Sequence, residues 1–107
     1  MSIPGWQAFI RDKAQEQKVK WTRHALNALG AETVSVGDLE IALQQAEIIE
    51  LYTLRHRYLP DCLVLGFVSN LPIHCVVAMN KPQDYILIVT VYEPTEKEWH
   101  NDWRTRK

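Results

Sequence analysis

Apolar positions in the N-terminal part of the chain recur at helical spacing. Pro4 opens a first helix, about residues 4–17, with Trp6, Phe9, Ile10, Lys13 and Ala14 on one face and Arg11, Asp12, Gln15 and Glu16 on the other. Lys18–Trp21 interrupts that pattern as a short extended or loop segment. Thr22 reads as the N-cap of a second helix, Arg23–Leu29, which Gly30 ends. Ser35, followed by Asp38, signals another N-cap, and Val36, Leu39, Ala42, Leu43 and Ala46 behind it form an amphipathic stripe.

From Glu47 the pattern changes to strands. Ile48–Tyr52 is β-branched and aromatic, and Leu54–Pro60 is a connection carrying Arg55, His56 and Arg57. Asp61 leads into the apolar run Cys62–Val68, and Ser69-Asn70-Leu71 turns the chain into Pro72–Met79. Asn80–Asp84, rich in turn formers, precedes Tyr85–Tyr92, which Pro94 stops. A charged tail holds Trp99 and Trp103. Helices followed by strands predict an α+β fold: two to three N-terminal helices packed on a four-stranded antiparallel meander.

Register turns the strands into a map of one face. If Asn80–Asp84 closes symmetrically, Met79 faces Tyr85 and His74 faces Thr90, with Tyr92 at the diagonal. If the Ser69–Leu71 turn pairs Val68 with Pro72, Gly66 lies beside His74 and leaves open space against the imidazole. A slip by one residue moves every side chain to the other face.

The length of 107 residues fits a single domain, 1–107. A net charge of -1 excludes a wholesale polyanion binder and confines any nucleic-acid contact to a local patch. Cys62 and Cys75 sit in apolar runs and read as small buried hydrophobes, not as a disulfide or zinc spacing. No basic segment with an apolar core follows the N-terminus, and no apolar stretch reaches membrane-spanning length. The expectation is a cytoplasmic protein away from membranes, without metal or cofactor.

Several short motifs together resemble one bacterial family, the domain of unknown function 4258. They are Thr22-Arg23-His24-Ala25, Gly66, Pro72-Ile73-His74-Cys75-Val76, Thr90-Val91-Tyr92-Glu93-Pro94 and Trp99, followed by the basic ending Arg104-Thr105-Arg106-Lys107. The likeness spans about residues 21–107 and leaves the first helix as an extension. It departs at Leu26–Glu32, where members often carry an Arg-rich stretch. The resemblance implies a layout similar to the small ribonuclease toxins of the RelE, barnase and colicin E5 type, with RNA and an antitoxin or other protein as partners.

His24 and His74 are the candidate acid–base residues, because imidazole titrates near neutral pH. Brought together over a sheet face, they could move the protons when a ribose 2′-hydroxyl attacks the adjacent phosphate, a reaction that needs no metal. Thr90 and Tyr92 would complete the polar shell. Arg23, Arg57 and Arg106, with Arg104 beside them, would hold phosphate through their guanidinium forks. Each residue has a structural alternative: histidines bonded within the fold, arginines solvated at the surface, Tyr92 packed on Pro94 and Trp99. Glu93, Glu96, Glu98 and Asp102 would repel a nucleic acid on the tail side, and the two tail tryptophans would cap the core or seal an interface. Two functions follow: a metal-independent ribonuclease-like toxin, or a non-catalytic protein-interaction module of the same fold.

Overall fold

Two helices start where a hydroxyl accepts an otherwise orphaned amide. Ala25 N–H donates to Thr22 Oγ1 and Asp38 N–H to Ser35 Oγ, each at 3.0 Å, at the two expected N-caps. The computed structural model describes residues 3–52 and 59–107. In chain order these form α1 (Ile3–Gln15), β1 (Val19–Trp21), α2 (Arg23–Gly30) and α3 (Val36–Ala42), which runs into a 3-10 turn, Leu43–Gln45. The strands β2 (Glu47–Tyr52), β3 (Asp61–Val68), β4 (Leu71–Asn80) and β5 (Tyr85–Tyr92) follow.

Among the described residues the sheet has five strands, in the order β1-β5-β4-β3-β2, which corrects the expected four. β2 through β5 form the antiparallel meander, and β1 adds in parallel to β5, pairing Val19 with Ile86 and Trp21 with Ile88. Three residues are too few to display an alternation. What makes Val19–Trp21 a strand is the free edge of β5: Ile86 N–H donates to the Lys18 carbonyl and Thr22 N–H to the Ile88 carbonyl, both at 3.1 Å. Thr22 also donates its hydroxyl to the Val89 carbonyl at 3.0 Å, so α2 begins against β5.

The register differs from expectation in a way that has consequences. The β4–β5 turn closes between Asn80 and Tyr85, one residue away from the expected Met79–Tyr85 pair, and a bulge at Val76/Val77 adds one more residue. Two single-residue displacements sum to two, which preserves side-chain parity. His74, Thr90 and Tyr92 therefore share a face, but Tyr92, not Thr90, stands opposite His74. On the other side the displacement is a single residue, because Ser69, at φ 56°, allows Val68 to pair with Leu71. Leu65 then neighbours His74. Gly66 turns to the helix side, opposite Ile73, where a Cβ would stand 3.5 Å from Ala42 Cβ.

The core is divided by the sheet. The helix side buries Ile10, Leu29, Leu39 and Leu43 against Ile73, Val77, Ile86 and Ile88. The opposite side buries Leu63, Leu65, Ala78 and His74, together with Trp99 from the tail. Among the described residues, no helix is long and apolar enough to cross a membrane.

Candidate functional site

The site is built by the segment that follows β5. Beyond Pro94, the Thr95 carbonyl accepts from the N–H groups of Glu98 and Trp99, and Trp99 bridges to Arg106. His100 N–H to the Thr105 carbonyl and Lys107 N–H to the Glu98 carbonyl, each 2.9 Å, close the loop. Asp102 holds its tip, accepting from the amides of Arg104 and Thr105 and from the Thr105 hydroxyl. Trp103 adopts φ 61°, a left-handed position. The result is a strap laid over the sheet face away from the helices.

His74 lies beneath it with no solvent exposure, and the edge-on Trp99 ring stands 4.4 Å away. Both imidazole nitrogens are engaged. Nε2 lies 2.7 Å from the Trp103 carbonyl, an acceptor only, so Nε2 carries the proton; Nδ1, 3.1 Å from Tyr92 Oη, accepts from that hydroxyl. Burial pushes the His74 pKa below its ordinary value, outweighing the opposing effect of the carbonyl, and keeps the ring neutral. Burial likewise raises the Tyr92 hydroxyl.

Two ion pairs pin the strap to β2. Arg104 Nε and Nη2 meet Glu47 at 2.7 and 3.0 Å, and Arg106 Nε and Nη2 meet Glu50 at 2.6 and 3.0 Å. The Arg106 guanidinium also lies 4.6 Å over the Trp99 ring. Glu50 accepts in addition from the Tyr52 hydroxyl. Each arginine holds its partner's carboxyl below the usual range, and burial, then Glu50, pushes Tyr52 up to about 12.

The other sequence-derived candidates are dispersed. His24 is exposed on α2, its Nε2 3.1 Å from Thr90 Oγ1. The fold thus joins His24 to Thr90 and His74 to Tyr92, two pairs strung along β5, with His24 outside the enclosure. Arg23 is exposed and makes no ion pair among the described residues. Arg57 lies outside the described residues, and Arg106 is spent on Glu50. Cys62 and Cys75 are free and buried; burial pushes the Cys62 thiol up to about 12 and raises that of Cys75 as well. Among the described residues no group of three His, Cys, Asp or Glu could hold a metal.

Sequence reasoning missed Glu47, Glu50 and Tyr52. The acids are three apart, which ordinary alternation sends to opposite faces. A bulge between Ile48 and Glu50 returns them to one face, opposite Leu65 and Leu63.

These features define an α+β domain whose sheet carries a covered polar site. The chain matches the domain of unknown function DUF4258 over residues 21–93, and it belongs to that family. No curated protein and no solved structure matches it. The family match ends just before Pro94, so the strap lies beyond it.

Proposed function

We propose that this domain is a non-catalytic protein-interaction module. The observation that carries the reading is His74: with no exposure and both nitrogens bonded inside the fold, it has no proton to exchange with a substrate. Arg106, whose fork faces Glu50, is likewise engaged within the fold. Among the described residues His24, outside the enclosure, has no acid–base partner at hydrogen-bond distance beyond the Thr90 hydroxyl.

An exposed apolar surface adds support. Ile41 and Phe67, 66% and 46% exposed, line a groove of about 330 Å³ with Ala42, Val68 and Asp38. Clustered exposure of large apolar side chains marks surfaces that meet other proteins. The two unpaired thiols suit a reducing, cytoplasmic setting.

The competing reading is the metal-independent ribonuclease, with His24 and His74 as acid and base, Thr90 and Tyr92 as their polar shell, and Arg23 and Arg57 on phosphate. Incubating the protein with labelled RNA and EDTA, beside His24→Ala and His74→Ala, separates the two. The module reading expects no cleavage above that of either variant. Cleavage that both substitutions abolish would replace it with the nuclease.

A further inference from the structure

We infer that the sheet face bearing Glu47, Glu50, His74 and Tyr92 is a peptide-binding seat. In this chain the seat is filled in cis by the strap, residues 94–107. In trans it takes a linear peptide with an indole anchor followed by two arginines two positions apart. The inference rests on the interaction-module reading and gives that module its ligand.

The strap is held the way peptides are recognised. One aromatic side chain, Trp99, is 1% exposed and stands over His74, while one main-chain carbonyl, that of Trp103, accepts from His74 Nε2–H. Two guanidinium forks then read two carboxylates. The floor is apolar, Leu63 and Leu65, and the rim is acidic, because the β2 bulge sets Glu50 and Glu47 opposite those leucines. An apolar floor with an acidic rim selects a ligand that is aromatic and basic. The strap supplies both.

The strap is also laid on the sheet and not woven into it. Its one β-bridge, Trp99 to Arg106, is internal to the strap, and the five-stranded ladder is complete without it. Its ion pairs are open to water: the Arg104 and Arg106 side chains are 42% and 54% exposed. Exposed pairs exchange readily and yield to salt. The residues that form the seat lie within the family match, 21–93, and the strap follows it in the chain.

A tethered occupant competes at millimolar effective concentration, so an untethered peptide binds measurably only once the tethered one is weakened. The test uses the full chain and a fluorescent peptide with the sequence of residues 94–107. Arg104→Glu/Arg106→Glu sets like charges between strap and rim. The expected result is fluorescence anisotropy showing the peptide bound at least about tenfold more tightly to this variant than to the unmodified chain. A peptide carrying Trp99→Ala should lose that gain. Adding Glu47→Arg/Glu50→Arg restores complementarity in cis and should exclude the peptide again. A folded double variant that binds no better than the unmodified chain overturns the inference. So does a double variant that loses cooperative unfolding, since the strap is then part of the core and no separable seat exists. Either failure, without RNA cleavage, leaves the module reading standing; histidine-dependent cleavage removes the module reading itself.

Discussion

His74 and Trp103, 29 residues apart, are joined by a 2.7 Å hydrogen bond from the imidazole Nε2–H to the main-chain carbonyl. On the other side of the ring, Tyr92 donates to Nδ1. A ring held between a carbonyl and a hydroxyl donor is set as the neutral tautomer, and protonating Nδ1 reverses the Tyr92 bond and places a charge on a ring with no solvent exposure.

Stability should therefore depend on pH through His74. Its folded pKa lies below the ordinary 6.5, so between those two values the unfolded chain binds more protons than the folded one. The His74 contribution is complete above 6.5, declines as pH falls below it, and is gone beneath the folded value. Glu47 and Glu50, also depressed, act in a separate window below the ordinary carboxyl value of 4.5. Urea midpoints from pH 7.5 to 5 should fall for the native chain. For His74→Gln the same range should be flatter, and an equal slope would mean that another group is titrating.

Thr22 binds twice, accepting from Ala25 N–H and donating to the Val89 carbonyl. It caps α2 and ties the helix start to β5. Thr22→Ala should cost about 1–2 kcal/mol, the upper part of the N-cap range, because both bonds are lost. Thr22→Ser should recover most of it. Chemical denaturation reads both.

Gly66 does not border the imidazole. Its Cβ position faces Ala42 at ordinary contact distance, 3.5 Å from Cβ and 3.6 Å from the carbonyl oxygen. Gly66→Ala should thus be neutral or stabilising by about 0.5 kcal/mol, through reduced freedom of the unfolded chain. Gly66→Leu should cost about 1–3 kcal/mol by overpacking. A strongly destabilising alanine would show that α3 sits closer to β3 than the contact distances indicate.

How much of this could be read from the chain depended on what kind of signal each element carries. Thr22 and Ser35 declare caps through local hydroxyl chemistry, and both caps are present. The α+β order follows from periodicity over long runs. Lys18–Trp21 reads as either an extended or a loop segment, because the strand character of β1 comes from β5, a partner distant in sequence. The His74 neighbourhood was half legible: parity kept Tyr92 and Thr90 on its face, while a turn closure and a bulge exchanged which of them stands opposite. Arg106 read as a phosphate ligand because its partner, Glu50, acquires its facing only through a second bulge. Bulges leave little trace in hydrophobic alternation, and here they decide the site.

The two strap ion pairs share chemistry but differ in the burial of their carboxylates and in the groups around them, and that difference predicts unequal strength. Glu47 is 41% exposed and has Arg104 as its close partner, whereas Glu50 is 26% exposed and is further oriented by the Tyr52 hydroxyl. Arg106 gains as well from the Trp99 ring at 4.6 Å. Solvent screens the more exposed carboxylate, so a double-mutant cycle on Glu47 and Arg104 should return a coupling of no more than about 0.5 kcal/mol. The Glu50–Arg106 cycle should approach about 1 kcal/mol, the upper end for partly exposed bidentate pairs. Both couplings should shrink in 1 M salt, where the screening length falls to about 3 Å. Equal couplings in the two cycles would argue that Trp99 alone sets the hold of the strap and that its arginines contribute selectivity without strength.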